Sequence, residues 1–252
     1  MRYNNHNLAH NFLGAMLIAV DEHVGEPTDE PDRTPMNLDD RWQTACFNSG
    51  LTPNQPLAQR EYAGLMSRYQ EPHRAYHTDV HIARMFELRD KLPFVVTDDV
   101  ALAWAIWYHD AIYDPRASDN ELQSANLFAV FAGNAALPTD LTERVRSLIL
   151  VTKSHEPQTP DECVMVDLDL SILGAPEPEF DAYEMAIRQE YAHVPADQFA
   201  VGRSRILESF LHKPHIFSSA CMAEYEIRAR ANLARSVERL ASGGAKGQQT
   251  GS

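Results

Sequence analysis

One segment constrains this chain more than any other: residues 98–112, DDVALAWAIWYHDAI. It is apolar nearly all round, so it predicts a helix buried on every side rather than one lying on a surface. Other helices must wrap around it. Thr97 is placed to cap it, and Asp98 and Asp99 suit the positive end of a helix dipole. His109 and Asp110 stand side by side near its far end, and Pro115 follows.

The remaining chain has the apolar spacing of helices and lacks the alternation of strands. Helices are expected over residues 38–48, 55–70, 78–92 and 98–112, then from Ser118 or Asp119 through 133 and from Pro138 or Thr139 to 154. Four more follow at 161–173, 178–192, 196–212 and 219–240. A brief VMVDLDL at 164–170 alternates, but helix spacing fits it as well. The expected fold is therefore all-α, one domain over residues 37–241. Residues 1–36 form an acidic extension, Pro-rich from 21, expected to be disordered or weakly ordered. The polar, Gly-rich stretch 242–252 is expected to be a disordered tail.

With 44% hydrophobic and 23% charged residues, the chain has the composition of a soluble globular protein. Its net charge of −14 argues against nucleic-acid duplexes and anionic membranes as partners. A small phosphorylated molecule remains compatible, because local charge decides its binding. Cys46, Cys163 and Cys221 are scattered without a CxxC pair, as expected of reduced thiols in a cytoplasmic protein. A homo-oligomer is compatible with everything here.

The chemistry lies in an ordered set of residues. Tyr76-His77-Thr78-Asp79-Val80-His81 precedes His109-Asp110, and Asp169 follows in VDLDLSILG. One His, the His-Asp pair and the distant Asp, each on its own helical segment, could converge on a divalent metal such as Mn, Fe, Mg, Co, Ni or Zn. His77 and His81 share a helix face, so one could bind metal while the other faces substrate. Adjacent His109 and Asp110 cannot share a face, so a common metal requires them near a helix end. Asp110 is the natural bridge if one chain holds two ions, since a carboxylate can bridge and an imidazole cannot. Asp169, between Leu168 and Leu170, needs a cation or hydrogen bonds if buried. Asp167 competes with it or supports it from behind, and a helix-cap role fits equally. His155 could complete a second metal site or contact substrate, or be an exposed loop residue. Glu121 could hydrogen-bond a metal water or merely stabilise a first helical turn. Arg116, Lys153, Arg188, Tyr191 and Arg203 are candidates for binding an anionic substrate.

This set resembles the H…HD…D pattern of the HD superfamily of metal-dependent phosphohydrolases over roughly residues 37–241. More narrowly, RAYHTDVH, WYHDAIYDPRASDNE, DLDLSILG, IRQEYAHVP and ARANLAR resemble phrases of a bacterial group of predicted HD phosphohydrolases. The resemblance implies an HD-domain, phosphodiesterase-like helical bundle. It implies hydrolysis of a phosphoester, nucleotide-type by expectation, with a metal-activated water. Residues 76–81 are also similar to the YHNxxH signature of cyclic-nucleotide phosphodiesterases, with Thr78 in place of Asn. That similarity implies His77 as the acid protonating the leaving oxygen and His81 as a ligand with His109, Asp110 and Asp169. The Gly-Lys common after His-Asp is replaced by Ala111-Ile112, which separates the chain from the HD-GYP branch. Two alternatives stand beside hydrolysis. A di-iron oxygenase of HD type needs more His ligands between Asp110 and Asp169 than His155 alone, and a non-catalytic nucleotide-sensing module would not need the full ligand set.

Overall fold

The most apolar segment of the sequence occupies the middle of the structure, a computed structural model that describes residues 37–247, with side chains through residue 242. The described residues belong to one compact unit. The expected extension, residues 1–36, and residues 248–252 of the expected tail lie outside them. Ten α-helices and two short 3-10 turns are present, with no strand among the described residues. The all-α class is thus observed, and residues 160–169, including most of the alternating stretch, are helical.

The helices are α1 (Leu38–Asn48), α2 (Pro56–Tyr69), α3 (Asp79–Lys91), α4 (Asp99–Tyr108) and α5 (Asn120–Asn134), followed by α6 (Thr139–Ser154), α7 (Pro160–Asp169), α8 (Glu177–Glu190), α9 (Ala196–Leu211) and α10 (Ala223–Gly247). The 3-10 turns are Leu170–Gly174 and Ala220–Met222. No described helix is long and apolar enough to cross a membrane.

Helix α4 packs against α1, α3, α5, α6 and α7. Leu102, Trp104, Ile106, Trp107 and Tyr108 are fully buried there. Trp42 of α1 meets Trp104 and Trp107 edge-on at 5.2 and 5.5 Å, and Phe128 and Phe131 of α5 close the cluster. Such edge-to-face pairs add to what apolar burial already contributes. The cluster makes α4 a rigid post.

Four expectations need correction. His77 precedes Thr78, the N-cap of α3, so it lies in a loop and not on one helix face with His81. The cap of α4 is Asp98, which accepts from Ala101 N, while Thr97 and Asp98 donate their own amides to Asp161. Helix α4 ends at Tyr108 rather than at 112. Ala111 N bonds Tyr108 O, the Arg74 guanidinium takes the carbonyls of Asp110 and Ala111, and Ser124 Oγ receives Ile112 N. These side chains supply an alternative to helical bonding. Helix α10 continues through Gly247, past the boundary expected at 241, and no proline interrupts it.

Candidate metal centre and its cavity

Four side chains converge because three helices end or begin at one point. His109 is the C-cap of α4, and Asp110 is the first residue beyond it. Asp169 is the last residue of α7, where the chain tightens into a 3-10 turn. His81 lies in the first turn of α3, buried against both. Adjacent His109 and Asp110 can face one point only because the helix stops between them.

One ligand atom from each of His81, His109, Asp110 and Asp169 lies within 4.8 Å of the others. His109 Nε2 is 3.0 Å from Asp110 Oδ2 and 3.2 Å from His81 Nε2. Asp169 Oδ1 is 3.3 Å from His81 Nε2 and 3.7 Å from His109 Nε2. Donors about 2.0–2.2 Å from a shared divalent ion sit roughly 3.0–3.5 Å apart when adjacent, so the spacing fits. The tautomers fit too. His109 Nδ1 faces Ile106 O at 3.1 Å, a carbonyl that can only accept, and His81 Nδ1 faces the Tyr76 hydroxyl at 3.1 Å. Each imidazole therefore turns Nε2 toward the centre, oriented by its other nitrogen.

The electrostatics point the same way. Burial lowers the pKa of His81. Burial opposes charge on His109 as well, but the Asp110 carboxylate overrides it and lifts His109 to about 9. Burial also opposes ionisation of Asp110 and Asp169, yet the neighbouring histidines hold both below the usual carboxylate range. The two carboxylates thus favour a positive charge at this point, which a divalent cation would supply in place of a proton on His109.

Beside this cluster, His77 lines a cavity of about 490 Å³ together with Asp110, Asp169 and His155. Its Nδ1 is 2.7 Å from Glu190 Oε2. Burial would lower its pKa, but the charge of Asp110 and the bond to Glu190 raise it. Glu190 was not singled out in the sequence. Its Oε1 accepts the amides of Ala75, Tyr76 and His77 at 2.8, 2.8 and 3.1 Å, and its Oε2 also accepts the Tyr113 hydroxyl at 2.8 Å. Against the effect of burial, the bond to the His77 imidazole and its charge, with the amides of Ala75 and Tyr76, hold its carboxyl down at about 2. A signal existed: Tyr183, Ile187 and Glu190 recur at helical spacing on one face, which puts a carboxylate on a cavity-facing stripe. Arg74 was also missed. Fully buried, it donates to the carbonyls of His77, Asp110 and Ala111, joining the loop before α3 to the turn after α4.

The other candidates divide. His155 ends α6 in the left-handed conformation, with Nε2 3.5 Å from Asp169 Oδ2. Glu121, Lys153, Tyr191 and Arg203 line the cavity. Lys153 donates to Ser118 O and lies 3.9 Å from Glu121, and Arg203 pairs with Glu184 and Tyr183. Asp167 is fully buried and accepts the amides of Ser218 and Ser219 at 2.8 and 2.7 Å, so it anchors the loop before α10. Arg188 donates to Tyr191 O and Val194 O and covers Phe199, so it shapes the cavity wall without facing inward. Arg116 is exposed and is not among the lining residues.

Compared with known proteins, the chain matches no family model, no curated protein and no solved structure. The arrangement therefore has to be interpreted from its own geometry.

Proposed function

We propose that this protein is a cytoplasmic, metal-dependent phosphohydrolase of HD type, acting on a phosphoester of nucleotide kind. One observation carries the reading: an anchored, raised-pKa imidazole, His77, opens onto the same cavity as Asp110 and Asp169, the two carboxylates of a four-residue donor cluster.

His81, His109, Asp110 and Asp169 would hold the ion. A divalent cation supplies Lewis acidity toward a phosphoryl oxygen and toward water. Hydrolysis breaks the bond between phosphorus and the leaving oxygen and forms one to the oxygen of water. His77 gives a proton from Nε2 to the departing oxygen, and the proton lost by the attacking water restores it. Glu190 fixes the Nδ1–H tautomer and stabilises the imidazolium before transfer. Tyr113 stacks on the His77 ring at 4.1 Å between centroids and limits its rotation. The partly buried cluster, shielded by the cavity walls, strengthens these interactions relative to open water.

His77→Ala should keep its metal and lose turnover by about 10²–10⁴-fold, the usual worth of a general acid. The loss should shrink for a nitrophenyl ester, whose leaving anion needs little protonation. Metal loss in this variant, or equal defects for good and poor leaving groups, would remove His77 from the acid role.

A further inference from the structure

The cavity has two unlike sides. Asp110 and Asp169 of the donor cluster, with His77, form one. The other is built from the end of α8, the turn after it, and α9: Ile187, Tyr191, Val194, Phe199, Gly202 and Ile206. This wall is held in place. Arg188 ties the carbonyls of Tyr191 and Val194 and lies 4.7 Å over the Phe199 ring. At Gly202 the wall opens. A Cβ built there meets nothing within 4 Å, although the residue sits in the middle of α9. Glycine is a poor helix former, and neither backbone conformation nor close packing requires it here. Gly202 and Ile206 are exposed, so the space left here lies at the open mouth of the cavity.

The charged lining is sparse. Asp110, Glu121 and Asp169 face Lys153, Arg203 and the His77 imidazole, and each of these three already has a carboxylate beside it. One phosphoryl group could be balanced by the ion and Lys153. A chain of phosphates would find as further positive charge only Arg203 and His77, each already held by a carboxylate.

Resting on the phosphohydrolase reading, the geometry points to a substrate class: a single-phosphate ester of a bulky, uncharged alcohol, whose flat or apolar part fills the space over Gly202 against Phe199 and Ile206. Polyphosphates are disfavoured, because every basic side chain of the lining is already paired with a carboxylate. A nucleoside monophosphate falls inside this class and a nucleoside triphosphate outside it.

The test compares 2-naphthylmethyl phosphate with ethyl phosphate, both esters of primary alcohols, in the wild-type protein, Gly202→Ala and Gly202→Leu. Leucine would occupy the open volume, and alanine only its edge. The wild type should prefer the naphthylmethyl ester in kcat/KM. Gly202→Leu should reduce that preference about tenfold or more, Gly202→Ala less, in line with what filling an apolar pocket does to discrimination. Triphosphates and pyrophosphate should be poor substrates. An unchanged preference in Gly202→Leu, or faster turnover of pyrophosphate than of the naphthylmethyl ester, would overturn the assignment. Binding of 2-naphthylmethylphosphonate, measured by calorimetry, separates this inference from the reaction itself. If no ester is hydrolysed, the phosphohydrolase reading fails. The pocket assignment then stands if the phosphonate binds the wild type and binds Gly202→Leu at least tenfold more weakly, and it falls if the wild type does not bind it or both bind equally.

Discussion

At the end of α4, the chain leaves the helix because polar side chains claim its backbone. Arg74 takes the carbonyls of Asp110 and Ala111, and Ser124 takes the Ile112 amide. At the end of α7, it leaves because of close packing. Gly174 closes the 3-10 turn after Asp169 so tightly that a Cβ would lie 2.5 Å from Tyr225 O, and Asn232 Nδ2 bonds the carbonyls of Leu173 and Ala175 at 2.9 Å each. Both ends deliver a donor carboxylate to the same cluster. One is set by a polar latch that also holds the His77 loop, and the other by the fit of α10 against a glycine together with the bonds from Asn232 and Arg228 of α10. A ligand at a helix terminus can thus be positioned by hydrogen bonds or by shape, and the two devices should fail differently.

Arg74→Met should give the largest effect. Three carbonyls lose their buried donor, and removing one partner of a buried charged network typically costs about 3–5 kcal/mol, so stability should fall by that amount and turnover should fall with it. Urea unfolding measures the first and a phosphate-release assay the second. A loss under about 1 kcal/mol would show that water replaces the guanidinium and that the polar latch is weak.

Gly174→Ala should come next, at about 1–3 kcal/mol, as expected for overpacking against backbone that cannot swing aside. Metal affinity should drop as Asp169 shifts. Unaltered stability and affinity would mean that α10 yields and that shape does not set this turn.

The smallest change sharpens the comparison within α7 itself. Asp167→Asn should cost about 1–2 kcal/mol, because one side-chain oxygen is left to serve the amides of Ser218 and Ser219. Its metal content should remain that of the wild type. Metal loss in Asp167→Asn would place it in the centre after all.

These contrasts also explain what could be seen in the sequence. The central helix was legible because an all-round apolar segment has one stable location. His81, His109, Asp110 and Asp169 were legible as a set because their residue types and order share one chemistry. Where α4 stops was not legible, because Arg74 and Ser124 act from elsewhere in the chain. Asp167 and Asp169 are equivalent by local pattern, and only the loop before α10 distinguishes them. Arg188 looked like a substrate ligand beside Tyr191, yet the turn that follows consumes its donors. Glu190 lay between these two candidates and was overlooked because its partners, the amides of residues 75–77, are distant in sequence.

The central claim is that four side chains hold one cation and His77 does not. Elemental analysis of the purified protein and of His81→Ala, His109→Ala, Asp110→Ala, Asp169→Ala and His77→Ala tests it most directly. The account predicts a bound divalent metal in the wild type and in His77→Ala, and its loss in the other four, each checked for folding by circular dichroism. A folded wild-type protein that takes up no divalent metal, or full occupancy in any of the four ligand variants, would contradict it.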